Sequence, residues 1–192
     1  MLTKDFTGKS RIGERVKHIN VFEKDKRVHP VTGDNRIRIA LESGNLKAAI
    51  ELLKEKRVDP SADDNCAIRW ASKNGYVEVV KELLKDKRVD PSVYDNWAIR
   101  VASERGHLEV VKVLLKDERV DPSVNNNWAI KMASEYGHAE VVKVLLKDER
   151  VDSSFAVLGA LCTKKFEIIE LLLNDNRRIH VLDANITTRH DS

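Results

Sequence analysis

The sequence predicts an all-α solenoid, a stack of helix-turn-helix units with a period of 31 residues and degenerate units capping both ends. Three observations predict it. The segment Asn65-Cys-Ala-Ile-Arg-Trp-Ala-Ser-Lys-Asn-Gly-Tyr-Val-Glu-Val-Val-Lys-Glu-Leu-Leu-Lys returns in type from Asn96 and again from Asn127. Gly44, Gly75, Gly106 and Gly137 stand 31 residues apart. The four prolines, Pro30, Pro60, Pro91 and Pro122, share one slot at spacings of 30, 31 and 31. Glycine and proline set where a backbone bends, so their register means that one supersecondary unit is repeated.

Within the unit that begins at Asn96, the asparagine suits an N-cap, its side chain accepting from the orphan amides of the first turn. Ala98, Ile99 and Ala102 then form one apolar stripe. Gly106 ends this helix, supplying the left-handed residue that a helix C-terminus favours. Glu109 opens a second helix at the positive end of its dipole. Val110, Val111, Leu114 and Leu115 make its buried stripe, with Lys112 and Lys116 toward water. Arg119 is expected near its C-terminus, and Asp121-Pro122 to stop it. Helices of ~8–10 residues are too short to stand alone, so burial must come from stacked neighbours.

The ends depart from the pattern. Ile12, Val16, Ile19 and Phe22 suggest an amphipathic N-terminal capping helix, followed by a linker, within residues 1–33. Four units are expected over 34–154, a degenerate C-terminal capping unit over 155–182 and a polar tail over 183–192. In the capping unit Glu167 aligns with Glu140 at an offset of 27, and Lys164 takes the place of the turn glycine.

Composition removes several function classes. Of 192 residues, 42% are hydrophobic and 34% charged, enough apolar material for a core. Lys+Arg 34 against Asp+Glu 31 is a formal +3, too small to argue for nucleic acid or an anionic membrane. The longest apolar stretch, Phe155 to Cys162, falls short of the ~20 residues of a membrane span. The opening Met1-Leu-Thr-Lys-Asp lacks the apolar core of a secretory signal. Cys66 and Cys162 make no disulfide framework. The expectation is an intracellular protein, most simply cytoplasmic, with both thiols free. The Asn185-Ile-Thr187 sequon then has no bearing.

Repetition argues against an active site, because each attractive residue recurs on rungs about 10 Å apart instead of converging. No catalytic, metal or cofactor residues are assigned. His107 and His138, one rung apart, cannot share a metal ion and read as braces of the turn. Cys66 lacks a partnering base, and Cys162 is expected in the core of the cap. Lys54, Lys85, Lys116 and Lys147 recur with Arg57, Arg88, Arg119 and Arg150, a ladder that a nucleic acid or other polyanion could read. Acidic neighbours, among them Asp86, Asp117 and Asp148, make it close to self-neutralising.

The informative stripe lies on the first helix of each unit: Cys66, Arg69, Lys73; then Trp97, Arg100, Glu104; then Trp128, Lys131, Glu135. Flanking it are Asn74, Tyr94, Arg105 and Tyr136. Here otherwise identical units differ most, which frees these positions from a shared packing demand. Tryptophan and arginine are also what binding hot spots are made of. The candidate protein-binding residues are therefore Arg69, Lys73, Asn74, Tyr94, Trp97, Arg100, Glu104, Arg105, Trp128, Lys131, Glu135 and Tyr136. Each Trp is expected against the cation three residues on. The competing expectation is that Trp97 and Trp128 pack against the preceding loop, including Val93 and Val124.

These residues resemble the ankyrin repeat. Its Thr-Pro-Leu-His-x-Ala opening corresponds to Trp97-Ala98-Ile99-Arg100-Val101-Ala102, and its Gly-His-x-Glu-Val-Val-Lys-x-Leu-Leu run lies at Gly106 to Leu115. The resemblance covers roughly residues 34 to 174. It looks most like the divergent Asp-Pro-Ser type of repeat that large DNA viruses of amoebae, and some amoebae, carry. Trp or Cys replaces the usual Thr, the period is 31 instead of ~33, and a short turn is expected in place of the projecting hairpin. The resemblance implies a monomeric protein-binding scaffold or adaptor without catalysis, whose first helices line a concave groove. A ubiquitin-ligase adaptor is a narrower version, for which 1–33 and 175–192 show no F-box-like segment. The alternative is polyanion binding through the Lys/Arg loop ladder.

Overall fold

The computed structural model describes residues 36–174. They form successive helix pairs: α1 (Arg36–Glu42) with α2 (Leu46–Leu53), α3 (Ala62–Lys73) with α4 (Val77–Leu84), α5 (Val93–Glu104) with α6 (Leu108–Leu114), α7 (Val124–Tyr136) with α8 (Ala139–Leu145), and α9 (Ser154–Cys162) with α10 (Phe166–Leu173). Among the described residues there is no strand, in keeping with a turn where a hairpin would project. The expected helix through Ile12 and Phe22 and the polar tail lie outside the described residues.

The odd-numbered helices pack side by side in one layer and the even-numbered helices in a second. The core runs between the layers. Ile37, Ile68, Ile99 and Ile130 are fully buried in the same register, as are Ala71, Ala102 and Ala133, whose small side chains let the layers approach. Val110, Val111 and Leu114 supply the facing stripe, whereas Leu115 is only half-buried. Each helix is too short to be stable in isolation, so the shared core across units carries the fold.

The four periodic glycines have φ of 72°, 73°, 73° and 88°, as their spacing predicts. At Gly106 the turn closes by His107 N–H donating to Ala102 O (2.9 Å), the bond that terminates a helix through a left-handed residue. Lys164 holds the same left-handed conformation in the last turn, at φ 56°. A Cβ is disfavoured there, so Lys164→Gly is expected to stabilise the protein by about 0.5–1 kcal/mol. The midpoint of urea unfolding checks it, and an unchanged or lower midpoint would show that the turn carries no such strain.

Three expectations are corrected. Asn96 does not cap its own helix: Tyr94, Asp95 and Asn96 are left-handed (φ 53–55°), and Asn96 Oδ1 accepts from Asp121 N–H (2.8 Å) instead. The triplets Asp63-Asp64-Asn65 and Asn125-Asn126-Asn127 adopt the same conformation, and Asn65 and Asn127 accept from Asp90 and Asp152. Asn and Asp are the non-glycine residues that tolerate it. The second helix ends early, at Leu114, because residues 115–120 close a tight turn through Val120 N–H to Asp117 O. Asp121-Pro122 therefore opens the next unit. Asp121 Oδ1 accepts from the Ser123 amide and hydroxyl, an Asx turn that accounts for the recurring Asp-Pro-Ser. Finally, Cys162 is exposed: Ala156 and Ala160 point α9 toward the core, and Cys162, two residues on, falls on the other side.

Besides these asparagines, an arginine and, in two units, a histidine fasten a unit to the one before. Arg119 binds Asp117 in its own turn (Nη2–Oδ2 2.6 Å) and donates from Nη1 to Val89 O in the preceding unit (2.6 Å). Arg88 and Arg150 do the same toward Val58 and Val120. His107 Nε2 meets Lys73 O (3.0 Å) and His138 Nε2 meets Glu104 O (2.9 Å). A carbonyl only accepts, so the proton sits on Nε2 in both rings.

The guanidinium bonds from Arg119 and Arg88 hold the carboxyls of Asp117 and Asp86 below the usual carboxylate range. A carboxyl depressed by folding stabilises the native state above its unfolded value, and that contribution fades as pH falls through the lowered folded value. Stability is thus expected to drop on acidification below about pH 4. Asp117→Asn should flatten this dependence in urea titrations at stepped pH; an unaltered slope would remove the pair from it.

Candidate functional site

The candidate surface is the outer face of the odd-numbered layer. Its residues project there because Ala98, Ile99 and Ala102 turn the other side of α5 inward, and Ala129, Ile130 and Ala133 do so for α7. The left-handed turns before Cys66, Trp97 and Trp128 place those residues at the start of the right-handed stretch.

Cations and aromatics meet on this face in three places. The Arg69 guanidinium lies 4.8 Å from the Tyr94 ring centre, while its Nε and Nη2 donate to the carbonyls of Asp64 and Asp63. Tyr94 is 56% exposed and donates its hydroxyl to Asp64 (2.7 Å), which pushes that hydroxyl's pKa up. Lys73 sits over Trp70 at 5.5 Å, and Asn74, exposed at the end of α3, donates to Trp70 O. Trp128, 37% exposed, has two cations near its ring, Arg100 at 6.0 Å and Lys131 at 5.6 Å from its centre.

The expected Trp128–Lys131 contact is present, but Arg100 does not stack on Trp97. It reaches to Trp128 in the next unit instead. Helices stacked about 10 Å apart are within the span of an arginine side chain, so the cross-unit contact competes with the one along the helix. Trp97 is half-buried and does not belong to the core cluster. Glu104 and Glu135 are half-buried one turn further along, and Arg105 and Tyr136 are exposed at the helix ends. Trp70, which packs against the core, is an aromatic that sequence reading passed over; its slot holds Val101 and Met132 in later units, which disguised it.

A cleft of about 740 Å³ opens beside Trp128, lined by Arg100, Asn125, Asn126, Trp128, Lys131, Ser154 and Gly159. The Arg100 Nε–H is buried there without a hydrogen-bond partner.

Other reactive side chains are committed elsewhere. His107 and His138 are held by carbonyls. Cys66 is half-buried, and desolvation pushes its thiol pKa up, away from the thiolate that nucleophilic chemistry needs. In the loop ladder Arg88, Arg119 and Arg150 are each tied to an Asp and a backbone carbonyl, and Lys54 and Lys85 pair with Glu51 and Glu82. Among the described residues no helix is long and apolar enough to cross a membrane.

A two-layer stack of paired helices in 31-residue register, with its variable side chains gathered on one layer, is a helical repeat solenoid. Ankyrin-repeat family models match residues 63–96 as one repeat and residues 99–186 as an array of three, and the chain is an ankyrin-repeat protein. No curated protein matches it. Ankyrin repeats generally mediate protein–protein interaction and are generally not enzymes.

Proposed function

We propose that this chain is a protein-binding scaffold or adaptor that takes its partner on the outer face of the odd-numbered layer, the concave groove of an ankyrin stack, and carries out no catalysis. Arg69, Lys73, Asn74, Tyr94, Trp97, Arg100, Glu104, Arg105, Trp128, Lys131, Glu135 and Tyr136 form the contact surface. The unit boundaries are 34–154 for the four repeats and 155–182 for the cap, and the protein works as a monomer in the cytoplasm. The resemblance to the divergent viral repeats would make that the cytoplasm of a host cell. The single observation that carries the reading is Trp128, an indole left partly exposed beside two cations in the lining of an open cleft. A large aromatic in that setting adds contact area without being required by the core.

Proximity labelling or pull-down in the native host cell identifies the partner. Trp128→Ala is then expected to weaken binding by about thirtyfold or more, while folding stability changes by less than about 1 kcal/mol. Unchanged affinity together with a large stability loss would remove Trp128 from the surface and return it to the core.

A further inference from the structure

Resting on that reading, we infer that the cleft beside Trp128 selects an acidic peptide segment, a partner carboxylate seated between Arg100 and Lys131 with an adjacent apolar side chain against the indole. Three independent features converge on this chemistry.

The first is charge without compensation. Along the second layer Lys81, Lys112 and Lys143 pair with Glu78, Glu109 and Glu140, and in the turns Arg88, Arg119 and Arg150 pair with aspartates. The cleft is lined by two cations and no carboxylate. Glu104 and Glu135, one turn further along α5 and α7, are not among its lining residues.

The second is the loop that borders it. The same slot reads Asp63-Asp64 in one unit and Tyr94-Asp95 in the next, and only at the cleft does it read Asn125-Asn126. All three pairs share the left-handed conformation, which Asp and Asn both tolerate, so backbone geometry does not demand the amide. Neutral amides there keep carboxylates out of the cleft lining that holds the two cations.

The third is an unsatisfied donor. Arg69 spends its guanidinium on the carbonyls of Asp63 and Asp64, but Arg100, in the same slot one unit later, keeps its Nε–H buried and unbonded. The enclosed Nε shows that no carbonyl of the turn holds this guanidinium as one holds Arg69. Its terminal Nη groups are what a ligand reaches, and a carboxylate is the acceptor that satisfies a guanidinium best. The indole face supplies the apolar wall beside it.

The test titrates two pools of blocked nonapeptides onto the full chain, one with Glu beside Leu at the centre and one with Gln replacing that Glu. The Trp128 indole N–H signal is followed by NMR and assigned with Trp128→Phe. The Glu pool is expected to move this signal at concentrations at least about tenfold below those the Gln pool needs. The double variant Asn125→Asp with Asn126→Asp should erase the difference, and it keeps the fold because Asp63-Asp64 already occupies the equivalent turn. An equal response to both pools would overturn the acidic selectivity while leaving the groove as a protein-binding surface. No response to either pool overturns the cleft as a peptide site, whatever partner the whole surface takes. Tighter binding of a single-stranded oligothymidylate, collapsing steeply with salt, would make the ligand a polyanion and overturn it too.

Discussion

Gly106→Val is expected to lower stability by about 3 kcal/mol, combining the cost of a β-branched residue in the left-handed region with the loss of an inter-unit hydrogen bond. A Cβ at Gly106 would stand 2.5 Å from Nδ1 and 2.7 Å from Cε1 of the His138 ring. That ring cannot move aside without breaking its bond to Glu104 O. Two controls separate the contributions. At Gly44 a Cβ meets nothing within 4 Å, so only the backbone cost remains; at Gly137 it meets the movable end of Lys165 at 3.1 Å. Urea unfolding of the three valine variants should rank Gly106 as the most damaging by at least about 1 kcal/mol. Equal losses would mean that the histidine gives way and the ring contact carries no weight.

Asn96→Ala should cost about 2–3 kcal/mol, since an unsatisfied amide in a half-buried loop costs ~1–3 kcal/mol and alanine tolerates the left-handed region less well than asparagine. Asn96 is 6% exposed, and its Oδ1 holds the Asp121 amide at 2.8 Å. Asn96→Asp keeps both the acceptor and the conformational tolerance, and should lose about half as much. If the two variants are equally destabilised, the damage comes from something other than the loss of this acceptor. The measurement is again the unfolding midpoint, with a constant m-value confirming that the same surface is exposed.

The architecture was legible because its determinants are local and repeated. A glycine every 31 residues announces a left-handed turn each time, and Ala98, Ile99 and Ala102 announce a buried stripe whatever lies against them. The triplet turns were harder to read. Asn96 looks like a helix cap on its own, and only Asp63-Asp64-Asn65 and Asn125-Asn126-Asn127 taken together signal three consecutive left-handed residues. Contacts between units were the least legible. Arg119 reaching Val89 O, His138 reaching Glu104 O and Arg100 reaching Trp128 each depend on how neighbouring units stack, a distance that no single unit encodes. The candidate surface was found by its variability, and its charge pattern emerged only when Asn125 and Asn126 were seen to border the same cleft as Arg100 and Lys131.

The joints between units have an evolutionary and engineering corollary. Arg88, Arg119, Arg150, His107 and His138 all close on main-chain oxygens of the preceding unit. A carbonyl oxygen is present whatever residue bears it, so a joint of this kind asks of its neighbour only the recurring turn glycine, Gly75 or Gly106, that leaves room for the histidine ring. Inner units are thus interchangeable parts. Copying or deleting one 31-residue segment leaves every remaining joint with an acceptor. Recombination can lengthen, shorten or shuffle such an array without new partners for these joints, whereas groove contacts such as Tyr94–Asp64 and Arg100–Trp128 pair side chains across a seam and change with the units that meet there.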